Sequence, residues 1–449
     1  MDEAFARHAR RATPRYTSYP TAPHFAEGFP AQTYLGWLRA LDPARPVSLY
    51  LHVPFCRQMC WYCGCNMKLA ARYAPVAAYA ESLMAEIDLI ADAAPAGLRV
   101  GRIHWGGGTP TALAPDDLAR AMARLQARFV VEPDAEIAIE SDPRTLTDAM
   151  IARIGALGFT RASFGVQEFD PAVQAAINRV QPPEMVARAV EGLRAAGVAR
   201  VNFDLIYGLP HQTVAALERT VALCAAMDPD RIALFGYAHV PWMAKNQRMI
   251  PEAALPDAAA RAAQEAAARA RLLAAGFVAV GLDHFARPGD ALAVAAAAGR
   301  LRRNFQGYTD DQADTLIGFG ATAIGRTPFG HVQNLAETGA WARAVAAGIA
   351  PVAKGRAFAG EDALRGAVIE RLMCDGMVDP EALGARFGAA PGWWAEARAE
   401  LRALEDDGLV SLAGGCVRMT ERGAPLVRVA AAAFDAYLAR SAARHSVAV

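Results

Sequence analysis

The chain has few cysteines, no excess of charge of either sign and no long apolar run. Only 7 of its 449 residues are cysteine, and Lys plus Arg number 46, as do Asp plus Glu. The zero net charge excludes a general attraction to nucleic acid or to an anionic membrane surface, so an acidic ligand must be met by locally placed arginines. No segment approaches the roughly 18 consecutive apolar residues of a membrane span. We therefore expect neither nucleic-acid binding nor a membrane span.

A secretory signal is also lacking. The first residues, MDEAFARHARRATPRYTSYPT, include basic side chains but no apolar core. Cysteines in such a chain are expected to be reduced thiols, and clustered thiols in a reducing compartment bind metal or do redox chemistry rather than form disulfides. We therefore expect a cytoplasmic protein.

Four of the seven cysteines lie together in PFCRQMCWYCGCN, residues 54–66. Cys56, Cys60 and Cys63 have the spacing C-x3-C-x2-C directly after a predicted strand. Three thiolates on one short loop can bind three irons of a [4Fe–4S] cluster and leave the fourth iron open to another ligand. A structural zinc site and a redox-sensing thiol group are the alternatives. The single continuous run favours iron–sulfur over zinc, whose sites more often pair two separated C-x2-C hairpins.

Apolar runs alternate with helical patterns from residue 47 to about residue 240. The runs are VSLYLHV (47–53), RIHWG (102–106), EIAIE (136–140), RASFGV (161–166), RVNFDLIYG (200–208) and RIALFGY (231–237). Two helical faces between them consist of Tyr79, Leu83, Ile87 and Ile90, and of Leu118, Met122, Leu125 and Phe129. This alternation predicts an α/β fold with a parallel sheet wrapped by helices, either a barrel or a doubly wound sheet.

Chemistry in such folds gathers at the C-terminal ends of the strands. The cysteine run follows the first predicted strand, WGGGTP ends the second, Glu140 ends the third and Gln167 ends the fourth. Asp204 lies inside the fifth strand, and YAHVP follows the sixth. Burying a carboxylate in an apolar strand is costly without a partner, so Asp204 favours contact with a ligand amine or hydroxyl group.

The alternation ends near residue 330, and helical patterns dominate beyond it. Residues 401–423, LRALEDDGLVSLAGGCVRMTERG, predict a helix followed by a small hairpin, as in a winged helix. We therefore expect three consecutive parts: an N-terminal extension or flap at 1–45, a barrel carrying the cysteine loop at 46–330, and a mainly helical, winged-helix-like domain at 331–449.

The chain resembles the radical S-adenosylmethionine (SAM) superfamily and, within it, the oxygen-independent coproporphyrinogen III oxidase (coproporphyrinogen dehydrogenase) family. The likeness to the superfamily rests on C-x3-C-x2-C with an aromatic residue inside it, followed by the Gly-rich HWGGGTPT. The likeness to the family runs from RYTSYPTAPHF (15–25) through SFGVQEFD, NFDLIYGLPHQT and DHFARP to NFQGYT (304–309). It depends most on RYTSYPTA and on the fourth clustered cysteine, Cys65.

This resemblance implies a partial (β/α)6 TIM-like barrel and an oxidoreductase of haem biosynthesis. Coproporphyrinogen III would be its substrate and protoporphyrinogen IX its product. A radical derived from SAM at the [4Fe–4S] cluster would take hydrogen from the β-carbon of a propionate, which would then lose an electron and carbon dioxide and become a vinyl group, twice per substrate. The resemblance also implies two SAM molecules, a monomeric chain and an electron-donor protein such as flavodoxin or ferredoxin.

Residue roles follow from the same resemblance. Cys56, Cys60 and Cys63 would bind the cluster, and Cys65 would act in catalysis near the cluster without ligating it. The first SAM would contact Tyr50, Gly107, Gly108, Thr109 and Glu140. The second SAM would contact Tyr62, Gln167, Arg179, Asp204, Ala238 and Ile324.

Several of these residues have an ordinary structural explanation as well. Tyr50 suits a core position, and Trp61 and Tyr62 suit packing of their own loop. Glu140 also suits a solvated strand end, and Arg179 an exposed surface.

Two other functions are compatible with parts of the sequence. The first is haem binding, by a relative that keeps the cluster motif but lacks oxidase activity. The family resemblance implies that such a relative lacks Cys65 and RYTSYPT, which this chain has. Arg15 and Tyr16 of RYTSYPT would cover the substrate. A zinc-stabilised module that binds DNA through the C-terminal residues is disfavoured by the balanced charge.

Overall fold

The computed structural model describes residues 3–438 and divides them into two compact units. The barrel unit comprises Ala26–Gly276 and Ala313–Gly355. The C-terminal unit comprises the residues before Ala26, Phe277–Gln312 and the residues from Arg356 onward. Each unit is thus assembled from stretches separated in sequence, whereas the sequence analysis expected three consecutive parts.

Thirteen strands and nine helices, numbered in chain order, build the barrel unit. The strands are β1 Ala26–Glu27, β2 Val47–Val53, β3 Phe55–Cys56, β4 Lys68–Leu69, β5 Arg99–Gly107, β6 Val130–Ser141, β7 Arg161–Gln167, β8 Arg200–Tyr207, β9 Arg231–Gly236, β14 Leu316–Phe319, β15 Ile324–Thr327, β16 Gly330–Asn334 and β17 Val352–Ala357. The helices are α2 Ala31–Arg39, α3 Ala74–Ala93, α4 Pro115–Arg128, α5 Asp148–Ala156, α6 Pro171–Ala176, α7 Pro183–Ala195, α8 Val214–Ala226, α9 Ala258–Ala274 and α11 Thr338–Ala346.

Six of these strands, β2 and β5 to β9, pair in parallel and in sequence order. They are the six strands predicted from the apolar runs, and the partial (β/α)6 barrel is confirmed. The two predicted helical faces, on α3 and on α4 with Phe129, are buried throughout. Since all six strands run the same way, their C-terminal ends share one edge of the sheet.

The sequence analysis missed the strands that extend the sheet beyond β2. Strand β14 pairs with β2 in parallel, and β15 and β16 follow it as antiparallel neighbours. Strands β17 and β1, which are antiparallel to each other, continue the sheet beyond β16. These strands are only two to six residues long, and short apolar runs of this kind do not stand out from loops.

The C-terminal unit contains the remaining elements. Its helices are α1 Glu3–Ala9, α10 Ala291–Ala297, α12 Asp362–Asp375, α13 Pro380–Arg386, α14 Ala395–Asp406 and α15 Val427–Ala432. Its strands are β10 Val278–Val280, β11 His284–Ala286, β12 Arg302–Asn304, β13 Gly307–Thr309, β18 Met377–Val378, β19 Val410–Ser411 and β20 Val417–Met419. The helix and hairpin predicted within 401–423 are present as α14, β19 and β20, and β20 also pairs with β18.

The N-terminal RYTSYPTA segment contributes to the core of this unit. Tyr16 and Tyr19 are buried in the same cluster as Leu372 and Leu401, and the Tyr16 hydroxyl donates to Asp435 Oδ2 at 3.0 Å. Tyr16 is therefore a packed core residue in the structure. A role for Arg15 in binding a substrate carboxylate stays a prediction.

Among the residues described, no helix is long and apolar enough to cross a membrane.

A buried carboxylate joins the extension of the sheet to helix α3. Glu86 Oε2 accepts from the Gly320 amide at 2.6 Å and from Trp341 Nε1 at 3.2 Å, and Oε1 accepts from Asn334 Nδ2 at 2.7 Å. Burial raises the pKa of Glu86 to about 8, although these three hydrogen bonds act in the opposite direction. The carboxyl group is thus mostly protonated in the folded chain at neutral pH.

The stability of the barrel unit is therefore expected to fall as the pH rises through 8, where Glu86 ionises. The folded pKa lies above the unfolded value of about 4.3, so the stabilising contribution is complete below that value and is lost above the folded pKa. Between about pH 6 and about pH 9, the melting temperature of the wild type should fall more than that of Glu86→Gln. Each kcal/mol of unfolding free energy lost through Glu86 should lower the melting temperature by about 2–4 °C. Glu81→Gln on the exposed face of α3 is the control, and equal slopes in all three proteins would contradict the prediction.

Candidate active site

The cysteine run forms a closed loop at the C-terminal end of β2. We call residues 56–67, which include all four clustered cysteines, the cysteine loop. The short strands β3 and β4 at its two ends pair in parallel, with Phe55 opposite Lys68 and Cys56 opposite Leu69. The Ala70 amide also donates to the Cys56 carbonyl at 3.0 Å. The ends of the loop are thereby held together, which limits how far its thiols can move apart.

Side chains from the segment after β9 hold the cysteine loop by its backbone. Asn246 Nδ2 donates to three carbonyl oxygens, those of Cys60 at 3.1 Å, Trp61 at 3.1 Å and Cys63 at 2.8 Å. Gln247, which is buried, donates to the Tyr62 carbonyl at 2.8 Å. The sequence analysis missed both residues, because nothing in the polar stretch KNQRM indicates which distant carbonyls it meets.

The segment after α6 contacts the loop from another side. Asn178 Nδ2 donates to the Met59 carbonyl at 2.7 Å, and the Trp61 amide donates to the Ile177 carbonyl at 2.9 Å. The rings of Trp61 and Tyr62 pack against a small apolar cluster that includes Ile177. Loop packing, the ordinary explanation for these two aromatic residues, is thus present in the structure.

The three predicted cluster ligands have different polar neighbours. Cys56 Sγ lies 3.3 Å from the Thr109 hydroxyl oxygen. Cys60 Sγ accepts from Arg144 Nη2 at 3.3 Å and from Arg179 Nη1 at 3.4 Å. Cationic donors therefore converge on one of the three thiols, Cys60.

Cys63 and Cys65 form the remaining pair of thiols. Their hydrogen bond lowers the pKa of Cys63 and, together with the charge of Cys63, raises the pKa of Cys65 well above its ordinary value. At Cys56, burial raises the pKa of the thiol to about 11. Cys65 is thus hydrogen-bonded to Cys63, a predicted ligand, and its place near the cluster stays a prediction.

The thiols fit a cluster better than a single ion. Among the described residues, no three His, Cys, Asp or Glu side chains are grouped so as to hold one metal ion. A [4Fe–4S] cluster binds each thiolate through a different iron, so its ligands need not meet at one point. The donor set is also all sulfur and comes from one loop, which suits iron–sulfur chemistry.

The Gly-rich loop ends β5 next to the cysteine loop. At Gly107, with φ +120°, an added Cβ would lie 2.8 Å from the His52 ring, and at Gly108 it would lie 2.9 Å from the Pro54 carbonyl carbon. Both positions therefore exclude a side chain. Thr109 follows them and reaches Cys56, so this loop lines the cysteine loop directly.

Glu140, at the end of β6, faces the Gly-rich loop. Its Oε2 accepts from the Gly107 amide at 3.1 Å, and its Oε1 lies 3.2 Å from His104 Nε2. Tyr50 stacks on His104 and shares a hydrogen bond with His52 Nδ1 at 2.9 Å. Burial raises the pKa of Tyr50 well above its ordinary value, so it is a neutral hydrogen-bonding group. The residues predicted to meet the first SAM are therefore adjacent.

Arg179 is not an exposed surface arginine. Its Nε and Nη2 donate to the Gly165 carbonyl at 3.1 and 2.6 Å, and its Nη1 lies 3.5 Å from Asp142 Oδ2 and within reach of Cys60. Despite burial, the charges of Tyr62, Asp142 and Cys60 raise its pKa further above the ordinary arginine value. The guanidinium is permanently charged and links β7 to the cysteine loop.

Gln167 and Asp204 are two polar side chains on the neighbouring strands β7 and β8 that are available to a ligand. Gln167 follows a bulge in β7, has φ +66°, and its buried Oε1 has no hydrogen-bond partner in the described structure. Burial and the neighbouring Glu140 raise the pKa of Asp204 to about 7, while Arg179 and His104 lower it. These two side chains can accept hydrogen bonds from a ligand.

The last two predicted contacts lie at the margin of this group. Ala238 follows β9, and its carbonyl accepts from Gln247 at 3.2 Å, the same side chain that holds Tyr62. Ile324 begins β15, outside the six central strands. The structure thus groups most predicted residues closely, and Ile324 lies two strands from β2, on the side away from β5. The sequence analysis also missed Asp142, Arg144 and His104, which contact these residues.

Comparisons with known proteins agree with this arrangement. A family profile described as the radical SAM superfamily matches residues 50–224, and one described as the HemN C-terminal domain matches residues 358–426. The chain is 50% identical to an oxygen-independent coproporphyrinogen III oxidase of Bradyrhizobium diazoefficiens over 97% of both chains, and 44% identical to one of Paracoccus denitrificans over 97% of this chain and 96% of that one.

A solved structure resembles the whole fold. Coproporphyrinogen III oxidase (HemN) from Escherichia coli, a radical SAM enzyme, superposes with a TM-score of 0.90 at 38% identity, covering 94% of this chain and 98% of that chain. With relatives this similar along almost the full length, the chain belongs to the oxygen-independent coproporphyrinogen III oxidase family of the radical SAM superfamily.

Proposed function

We propose that this protein is an oxygen-independent coproporphyrinogen III oxidase, an oxidoreductase that decarboxylates two propionate side chains of coproporphyrinogen III to vinyl groups and yields protoporphyrinogen IX for haem synthesis. The observation that carries the proposal is the 50% identity, over 97% of both chains, to a relative of that name. The thiols and polar groups at the C-terminal edge of the barrel supply the chemistry such a reaction needs.

Cys56, Cys60 and Cys63 would hold a [4Fe–4S] cluster. A cluster held there would supply, once reduced and with SAM bound, the electron that generates a SAM-derived radical able to take hydrogen from a propionate β-carbon. The chain's own residues would bind and orient SAM. Gly107 and Gly108 let the backbone approach SAM closely, and Glu140, already held by the Gly107 amide, has lone pairs left to accept from the SAM amine or ribose.

A second SAM is part of the proposal. The unpartnered Gln167 Oε1 and the carboxyl group of Asp204 offer acceptors to its amine or hydroxyl groups, and Arg179 offers a charge to its carboxylate. Tyr62, Ala238 and Ile324 would border the same molecule. Support for this second site comes from Gln167 Oε1, which has no hydrogen-bond partner among the described residues, and from the raised pKa of Asp204.

The remaining elements of the proposal concern the setting of the enzyme. We place it in the cytoplasm as a monomer, with an electron-donor protein such as flavodoxin or ferredoxin as its reductant. The reduced, disulfide-free cysteines expected from the sequence and the need for one electron per radical support this setting.

An anaerobic assay tests the proposed function. The purified chain is reconstituted with iron and sulfide, reduced, and supplied with SAM and coproporphyrinogen III. Protoporphyrinogen IX should form in step with carbon dioxide release. Tight haem binding without any decarboxylation would instead identify a haem-binding relative, and stoichiometric zinc in place of iron would identify a zinc-stabilised module.

Replacing Cys56, Cys60 or Cys63 with Ser should abolish the visible absorbance of the cluster and the activity together, because each thiolate binds one iron. Iron analysis and absorbance of the anaerobically reconstituted variants measure this. Cys416→Ser is the control, since Cys416 lies in the C-terminal unit. A variant that keeps its full iron content would remove that cysteine from the ligand set.

SAM binding at the second site should strengthen as the pH rises through about 7, where Asp204 ionises. The carboxylate attracts the cationic SAM amine, whereas the protonated form does not; Glu140, Arg179 and His104 are the charged or titratable groups that act on it. Asp204→Asn should bind the second SAM about tenfold more weakly above that pH and keep its cluster. Equilibrium binding across this range measures both effects, and a variant with the same pH dependence as the wild type would refute this role.

Cys65→Ser should keep about four irons per chain, because three other thiolates hold the cluster and SAM occupies the remaining iron. Decarboxylation should nevertheless fall to a small fraction of the wild-type rate, since the thiol beside Cys63 is lost. Iron content and product are measured in the same preparation. Loss of the cluster would make Cys65 a ligand, and unchanged activity would make it a bystander.

A further inference from the structure

Arg144 is a buried arginine whose donors converge on a predicted cluster ligand. It lies in the turn after β6, and its side chain is 5% exposed. Its Nη2 lies 3.3 Å from Cys60 Sγ and 2.6 Å from Asp142 Oδ2, while its Nε donates to Asp142 Oδ1 at 3.0 Å. Nη1 donates to Gln58 Oε1 at 3.0 Å, within the cysteine loop itself. The guanidinium is thus fixed in position from three sides.

The charges around Cys60 are unequal. Arg144 and Arg179 both donate to its sulfur, and a single carboxylate, Asp142, balances them. Burial alone would raise the pKa of Asp142, but the two arginines lower it below its ordinary value, so the carboxylate is ionised. The three side chains together carry one excess positive charge beside Cys60. The Sγ atom of Cys56, in contrast, lies against the neutral hydroxyl group of Thr109.

Positive charge and N–H donors at a ligand sulfur favour the reduced cluster. Reduction adds one electron to the cluster, and much of the added charge is carried by sulfur, so hydrogen bonds to sulfur raise the reduction potential. The effect is strong in a buried site, where the effective dielectric constant is low. Of the two arginines, Arg179 also lies at the proposed second SAM site. The other donors of Arg144 are engaged by Asp142 and Gln58, so Arg144 is the arginine whose action on Cys60 can be tested separately.

We propose that Arg144 sets the reduction potential of the cluster by donating to Cys60 Sγ, and that Asp142 limits the size of this effect. The inference rests on the proposed function, because it assumes that Cys60 is a cluster ligand. Arg144 acts through Cys60 and is therefore a positioning residue. One electron from a low-potential protein donor reduces the cluster, and Arg144 makes this transfer more favourable.

The test is a redox titration of the anaerobically reconstituted protein without SAM, followed by the electron paramagnetic resonance signal of the reduced cluster. The midpoint potential should shift to a more negative value in Arg144→Gln and by less in Arg144→Lys, which keeps the charge. Asp142→Asn should shift it in the opposite direction, because a negative charge beside Cys60 is removed. A purely structural role would not produce shifts of opposite sign.

Arg153→Gln is the matched control, because Arg153 is a partly exposed arginine on α5 that pairs with Asp116. Its potential should equal that of the wild type. An unchanged potential in Arg144→Gln with full iron content would overturn the proposal. Loss of the cluster from both Arg144 variants would overturn it too, since Arg144 would then be needed to build the site. Failure of the wild type and Arg153→Gln to bind a cluster would contradict the proposed function instead.

Discussion

The candidate active site depends on one constraint, the parallel order of the six central strands. Because β2 and β5 to β9 all run in the same direction, their C-terminal ends bring the cysteine loop, Gly107, Glu140 and Gln167 to one edge. In an antiparallel sheet, alternate strands would present these residues at opposite edges. The functional residues of four separate sequence motifs therefore lie together only because each motif is placed at the end of a strand of the same orientation.

Buried charge is the second organising feature of this edge. Asp142 lies against Arg144 and Arg179, and Arg179 in turn contacts Cys60 and the Gly165 carbonyl. Charges of this kind persist in a protein interior only when paired, and here the partners come from the turn after β6 and from the segment after α6. The same network that satisfies the charges also fixes the cysteine loop in space.

The contrast between Glu86 and Asp204 shows how burial is used differently in two parts of one unit. Glu86 accepts three hydrogen bonds from within the chain, and it joins helix α3 to the extension of the sheet. Asp204 has acidic and basic neighbours, and its pKa is raised to about 7. A carboxyl group saturated by internal donors serves the fold, and one that lies inside a strand among other ionisable side chains is suited to a ligand.

The sequence by itself determined the six central strands, the thiols of the cysteine loop, the Gly-rich loop and the hairpin after α14, since each is a local pattern of periodicity or spacing. It did not reveal Asn246, Arg144 or Glu86, whose hydrogen bonds include ones to residues 84 to 255 positions away in the chain. Nor did it reveal the strands beyond residue 313 that complete the sheet, or the packing of Tyr16 in a core. Only the tertiary structure decided these, because a hydrogen bond between distant residues leaves no periodic trace in the sequence and depends on the register of the strands that carry it.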